Sequence, residues 1–493
     1  MPEFIPAAEA VKRIPDGATI ATDGFTMMGV AEELLSELEA RYRATGSPGN
    51  LVVIHAAGQS DRVGGFEHFA VDGMVRRVVG SHWGLMPRMS AFLGADKAEC
   101  VCLPQGQITA MFRAIAAGRP GHLTKIGLGT FADPRLAGGK VNEAARAHSP
   151  DYVELMRVSG TDWLLYRSVS IDAAIIRATE VDEDGNCAQD EEAVWLDTLA
   201  IAQAARASGG IVLCQAKKVV PAGSIPPRRV TVPGNVVDVV SPVSDAARWH
   251  RQTHGAEFDP AFLGAATADQ AGMPYSPRLA VARRAIRFLR QGDVVNLGTG
   301  IPGDAVGPAL AEASEQDKVL LTLESGVYGG LPAGGVDFGI ARSPSAIIPQ
   351  SAQFDFYNGG GLDAAFMGLG QVDAAGNVNV SALGGKRIGC GGFIDITQSA
   401  RRVYFCFLFE GKHPKFVPEV AEVSFSAGQA LADGREVRYV SDRAVFTLTP
   451  RGLRLDELAP GASVEEIRAA IPFDIQISAE LSRMPDELFH PGD

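Results

Sequence analysis

Chemistry in this chain is easiest to find where an acid stands among glycines. Glu324 closes the apolar run Leu320-Leu-Thr-Leu323 and is followed by Ser325-Gly326-Val-Tyr-Gly329-Gly330. A carboxylate presented on such a turn can act as a nucleophile without a general base, because an ordinary carboxyl is already ionised at pH 7. The same region carries three more glycine turns: Asn358-Gly359-Gly360-Gly361-Leu362-Asp363, Gly376-Asn377-Val-Asn379 and Gly389-Cys-Gly391-Gly392-Phe393-Ile-Asp395. Each alone is ordinary tight-turn chemistry, since Asn and Gly serve positive φ. Together they suggest strand ends converging with exposed backbone amides, as an oxyanion-binding site requires. There is no GxSxG elbow, no cysteine with an obvious base and no tight His/Cys/Asp cluster suggesting a metal.

A rival reading uses the same acid. Val294-Val-Asn-Leu-Gly298-Thr-Gly300-Ile-Pro302-Gly303 runs from a strand into G-x-G-x-x-G and then a helix. Glu324 follows about 21 residues after the last glycine, as in a dinucleotide fingerprint, where the acid meets the ribose. Pro302 weakens that reading, since it removes an N–H where a phosphate cradle wants donors.

The elements that must position these groups alternate between β-branched runs and helical stretches. Leu51–Ile54, Gly210–Cys214, Asp293–Leu297, Val319–Leu323 and Arg402–Cys406 read as strands; Ala31–Arg43, Glu192–Ala207 and Pro277–Gln291 read as helices. That alternation predicts α/β layers with mostly parallel sheets flanked by helices. The chain also resembles itself. Asp16-Gly-Ala-Thr-Ile-Ala parallels Gln291-Gly-Asp-Val-Val-Asn, Val181-Asp-Glu-Asp-Gly-Asn186 matches Val372-Asp-Ala-Ala-Gly-Asn377, and Gly138-Gly-Lys140 echoes Gly384-Gly-Lys386. The first pair is further apart than the second, so the first copy carries about 84 extra residues between those landmarks. The expected organisation is two related open α/β domains: residues 1–245 with an insertion, a linker over 246–280, and 281–493 carrying the glutamate. His250-x-x-x-His254, in the linker, lacks an intervening Glu or a third ligand and reads as part of a solvated helix.

The 493 residues include 46% hydrophobic and 21% charged residues, the profile of a folded protein rather than a disordered one. Glycine (56) and proline (29) are in excess, which places many turns and close backbone approaches. A net charge of −13 argues against a nucleic-acid partner, which needs a basic footprint. The six scattered cysteines, Cys100-x-Cys102 among them, read as buried, reduced thiols of a cytoplasmic protein. The opening residues lack the regions of a secretory signal, and no run approaches a membrane span, so no membrane partner is expected.

The motifs resemble those of the family I coenzyme A-transferases. The likeness rests on Gly300-Ile-Pro302, Glu324-Ser-Gly326, Gly359-Gly-Gly-Leu-Asp363, Gly376-Asn-Val-Asn379 and Gly391-Gly-Phe-Ile-Asp395. In the first half it rests on Pro104-Gln105-Gly106, Phe112-Arg-Ala-Ile-Ala-Ala-Gly118-Arg-Pro-Gly121 and Gly127-Leu-Gly-Thr-Phe-Ala-Asp-Pro134. Glu-Ser-Gly leans toward the acetate/propionate branch, with the succinyl-CoA:3-ketoacid branch close. The resemblance implies a duplicated fold, Glu324 as nucleophile, and a ping-pong transfer of CoA between acyl-CoA and short-chain carboxylic acids through a glutamyl-CoA thioester. It implies an oxyanion hole at Gly391 or Gly392. It also implies substrate contacts at Gln105, Asn296, Gly298, Gly300 and the turn Gly359, Gly360, Gly361. By resemblance CoA is a substrate, no metal or redox cofactor is needed, and the assembly is a homodimer or homotetramer. Lys217-Lys218 or Arg228-Arg229 could meet the phosphates of CoA. An acyl-CoA hydrolase on the same scaffold and a dinucleotide-binding oxidoreductase are the alternatives.

Overall fold

The computed structural model describes residues 1–264 and 273–490, so the part of the expected linker at 265–272 lies outside the described residues. Two sheets of ten strands each dominate it. In the first, the central strands are β1 (Thr19–Thr22), β2 (Leu51–His55), β3 (Ala173–Asp182), β4 (Ile211–Val220) and β5 (Val239–Pro242), paired in parallel in the order β5-β4-β3-β1-β2. In the second they are β6 (Asp293–Leu297), β7 (Val319–Leu323), β8 (Ala364–Gly368), β9 (Arg402–Phe407) and β10 (Glu436–Ser441), also parallel, in the order β10-β9-β8-β6-β7. The two orders are the same, strand for strand, as the duplication predicts. All-buried runs such as Leu-Val-Val-Ile-His in β2 are what parallel strands covered on both faces require.

The extra residues of the first half lie between β2 and β3: residues 56–172 there, against 324–363 between β7 and β8. They add two parallel strands (Val75–Gly80, Glu99–Cys102), the helix α1 (Gln105–Ala116) and an antiparallel three-stranded sheet of Gly121–Thr124, Thr161–Arg167 and Val153–Val158. One echo in the sequence does not survive: Gly138–Lys140 precedes β3, whereas Gly384–Lys386 forms a hairpin after β8, so these segments are not equivalent. Two Gly-Gly-Lys turns arose because both sites need a tight reversal, with positive φ at each glycine pair.

The halves dovetail. The apolar core of the second half includes Phe25, Met28, Ala57 and Leu196 from the first, and a core of the first takes in Cys390 and Ile394. Backbone hydrogen bonds cross the seam: Trp83 N to Ile388 O (2.6 Å), Gly391 N to Ser81 O (2.9 Å), Gln105 N to Gly391 O (3.0 Å) and Phe131 N to Val423 O (2.9 Å). The expected solvated helix at His250 is instead packed down. His250 is 2% exposed, and its Nε2 lies 3.0 Å from Glu192 of the buried Arg177–Glu192 pair. Burial, with the nearby Arg177 charge, holds it near pKa 4, a neutral imidazole. All six cysteines are buried and free. Among the described residues no helix is long and apolar enough to cross a membrane, and no group of three His, Cys, Asp or Glu could hold a metal ion.

Candidate active site

Glu324 lies where β7 ends, 7% exposed, at the carboxyl edge of the second sheet. The Glu-Ser-Gly turn that presents it is rigidly held. Ser325 Oγ donates to Gly339 O, and Gly326 sits at φ +103° with Ile348 O only 2.0 Å from where a Cβ would stand, so no other residue fits. Glu324 Oε2 is buried without a hydrogen-bond partner. Burial pushes the carboxyl up to about 7, opposed by its own backbone amide and the Asn296 side chain, and reinforced by the charge of Asp395. The expectation of a freely ionised carboxylate at neutral pH is thus corrected: withdrawal from water favours the protonated form.

Asn296, on β6, is fully buried. Its Nδ2 donates to Tyr357 Oη at 3.1 Å and to Thr322 O at 3.4 Å, while its Oδ1 has no partner. Tyr357 is itself fully buried, its hydroxyl 2.8 Å from Thr322 Oγ1, which donates onward to Val295 O at 3.0 Å. The side chain beside Glu324 is therefore held by a phenol that nothing in the sequence spacing pointed to.

From the first half comes Gln105, the first residue of α1, 2% exposed with an unpartnered Nε2. A Cβ on Gly391 would stand 3.6 Å from Gln105 Oε1 and 3.8 Å from the His82 side chain, so these three converge. His82 is kept neutral by burial, which lowers it to about 4. Gly392 stands at the head of α4 (Phe393–Ser399), after α2 (Thr198–Ala207) and α3 (Gln350–Phe356) in the chain. Gly298 and Gly300 follow β6, but for different reasons. A Cβ at Gly298 would meet Met367 Sδ at 3.1 Å, a packing demand of β8, while Gly300 faces open space. In the wide turn Tyr357–Gly361, Gly359 and Gly360 are exposed with nothing near their missing side chains, and Gly361 lies under the Phe356 ring.

The phosphate candidates are not gathered here. Lys217 and Lys218 both pair with Glu191, at 2.6 and 2.8 Å, and Arg229 with Asp190 and Glu180. These three cations thus pair with carboxylates of their own half.

The fold is α/β, and the candidate site gathers residues of both halves on an internal seam. The chain belongs to the coenzyme A-transferase family. The family model described as coenzyme A transferase matches residues 4–242. Over nearly its whole length the chain is 39% identical to caffeate CoA-transferase of Acetobacterium woodii, covering 99% of this chain and 98% of that one. It is 37% identical to acetate CoA-transferase YdiF of Escherichia coli K12, covering 98% and 94%. The acyl-CoA transferase YdiF of Escherichia coli O157:H7, solved as a thioester complex with CoA, superposes with a TM-score of 0.92 at 36% identity, covering 99% and 96%. The dinucleotide reading gives way to this membership. Its G-x-G-x-x-G begins with a glycine fitted under Met367, and its acid is buried.

Proposed function

We propose that this enzyme transfers CoA between an acyl-CoA and a free short-chain carboxylic acid, with Glu324 as the covalent nucleophile. The observation that carries the reading is the buried Glu324 carboxyl at the end of β7, one oxygen unpartnered, among other unpartnered polar atoms on Asn296 and Gln105. The kinships to acetate and caffeate CoA-transferases support it, and the thioester complex of the similar YdiF structure supports the covalent intermediate. A Glu324 oxygen attacks the thioester carbonyl; the C–S bond breaks, leaving a mixed anhydride and CoA thiolate. The thiolate attacks the glutamyl carbonyl and the first acid leaves as its carboxylate, so that a glutamyl-CoA thioester remains. A second carboxylate attacks that thioester, and the released thiolate then takes the new acyl group, freeing Glu324. Every step conserves charge and needs no external proton.

Each tetrahedral intermediate places an oxyanion near the glycine turn. The Gly391 N–H already donates to Ser81 O, which makes Gly392 N–H the donor we assign to that oxyanion, worth about 3 kcal/mol. The Asn296 amide, fixed by Tyr357, orients the nucleophile, and Gln105 Nε2 meets the substrate oxygen. Burial serves twice: a desolvated carboxylate attacks readily, and excluded water cannot hydrolyse the anhydride or the thioester. The exposed turn at Gly359 and Gly360 gives the pantetheine arm room to pass. We read residues 1–245 and 281–493 as the two functional halves, joined by 246–280, in a cytoplasmic homo-oligomer.

Peptide mass spectrometry after incubation with acetyl-CoA or propionyl-CoA, with no acceptor acid, tests the mechanism. A CoA-sized adduct on the peptide holding Glu324, discharged by added acetate, is expected. Thioester consumed without adduct would replace the transferase by a hydrolase on this scaffold.

A further inference from the structure

Asp395 ends the motif Gly391-Gly-Phe-Ile-Asp395, yet the reaction above assigns it nothing. It is completely buried, in the first turn of α4. Its contacts all lead across the seam or to the active-site turn. Oδ2 accepts from Gly106 N at 3.1 Å, Oδ1 accepts from Gln107 Nε2 at 2.6 Å, and Asn358 lies beside it.

The reason lies in how α1 begins. Its N-cap is Pro104, which offers no side-chain acceptor, so the first amides of this 12-residue helix lack a local cap. The second half supplies one: Gln105 N donates to Gly391 O, and Gly106 N donates to Asp395. A carboxyl at that end also complements the helix dipole. Gly106 is fitted to the arrangement, because a Cβ there would lie 2.5 Å from Asp395 Oδ1 and 2.5 Å from the Phe354 ring. The residue next to this cap is Gln105, whose unpartnered amide faces the Gly391 turn.

We propose that Asp395 is a positioning residue: by capping α1 from the opposite half, it holds Gln105 and the Gly391–Gly392 turn in register with Glu324. The inference rests on the transferase reading above. One carboxyl ties the strand-end glutamate's two neighbours together, since it sits three residues after Gly392 and bonds the residue after Gln105. Its charge also reaches Glu324, helping to raise that carboxyl, while burial lifts Asp395 itself to about 7. The groups acting on Glu324 from the elements packed around it are Asn296 on β6, Tyr357 on the wide turn and Asp395 on α4.

Acyl exchange between propionyl-CoA and acetate, measured from pH 5 to 9, tests this with Asp395→Asn, Gln107→Ala and the double variant. Asp395→Asn keeps the shape but turns a donor toward one of the two donors it must accept from. We expect kcat to fall roughly 10- to 100-fold with KM for propionyl-CoA within about threefold. The acid limb of kcat/KM should move to lower pH, because Glu324 loses a negative neighbour. Gln107→Ala should lower kcat less, and the double variant no further than Asp395→Asn alone, as expected for partners in one contact. Unchanged kcat in Asp395→Asn, an unmoved acid limb, or fully additive losses would each overturn the role. If Asp395→Asn does not fold, Gln107→Ala decides alone: its kcat must fall while its KM for propionyl-CoA stays within about threefold, and an unchanged kcat overturns the role. An unmodified enzyme that exchanges no acyl groups would overturn the transferase reading itself, and this proposal with it.

Discussion

After β3 and after β8 the chain makes the same turn, bond for bond. Asp182 Oδ1 accepts from Asn186 N at 2.8 Å and Oδ2 from Asn186 Nδ2 at 3.0 Å; Asp373 and Asn377 repeat this at 2.9 and 3.1 Å. Gly185 and Gly376 carry it at φ +88° and +91°. The strand ends facing the seam differ. In the first half the ends of β1 and β2 are satisfied. Asp23, after β1, accepts from Thr198 Oγ1 at 2.6 Å, and His55, the last residue of β2, bonds Ala57 O and Trp83 Nε1 at 2.7 and 3.1 Å. In the second half Asn296 and Glu324 each keep an oxygen unpartnered. The first half also holds open atoms, but off these two strand ends: Gln105 Nε2 turned to the site, Ser241 Oγ on β5, and Asp197, whose carboxyl is held well above the usual carboxylate range by burial together with neighbouring Asp23. At these matched strand ends the first copy closes its bonds internally, while the second leaves bonding capacity open at Asn296 and Glu324, where a substrate can use it.

Substitutions can break or sharpen this contrast. Glu324→Gln, which keeps the shape but removes the proposed nucleophile, should cost at least about 10⁴-fold in acyl exchange while leaving the circular dichroism spectrum intact. Glu324→Asp, which draws the carboxyl back by one methylene, should cost about 100-fold or more. Asn296→Ala should lower kcat about 100-fold, measured by steady-state exchange, since it removes a preorganised amide beside the reacting atoms. Tyr357→Phe should cost about 10-fold, the worth of one buried hydrogen bond that only orients that amide. The pH profile supplies a further check. Because Glu324 is raised to about 7, it is protonated below that value, so kcat/KM should fall as pH drops through 7 and level off above 8. An acid limb near 4 would mean the carboxyl is not desolvated. Thr198→Val, in the first half, should cost about 1–3 kcal/mol in denaturant unfolding and leave kcat within about twofold. A large kcat loss there would erase the distinction between the halves.

The sequence made the shared scaffold readable because its repeats are local. The Asp-x-x-Gly-Asn turns and the strand-helix alternation are set by neighbours a few positions apart, and so is the Glu-Ser-Gly turn. Asn296 and Gln105 were reachable only through resemblance, and their bonding depends on residues distant in the chain. Tyr357 was hidden in front of a conspicuous triple-glycine run, and Asp395 closed a motif whose glycines drew the chemistry. What matters about both is where their polar atoms end up across the fold. His250 misled for the same reason: i, i+4 spacing describes a helix face, not the Arg177–Glu192 pair that came to lie against it. The ionisation of Glu324 was out of reach too, because burial sets it and no local pattern encodes burial.

Since α1 borrows its cap and Gln105 its setting from the other half, neither half carries a complete site. In two separate chains, assembly of that seam would depend on how much of each partner was present. Here the stretch between β5 and β6 makes the encounter intramolecular, replacing bulk concentration with an effective one set by that connection. The enzyme therefore meets its own second half in fixed one-to-one proportion, and dilution alone cannot take the site apart.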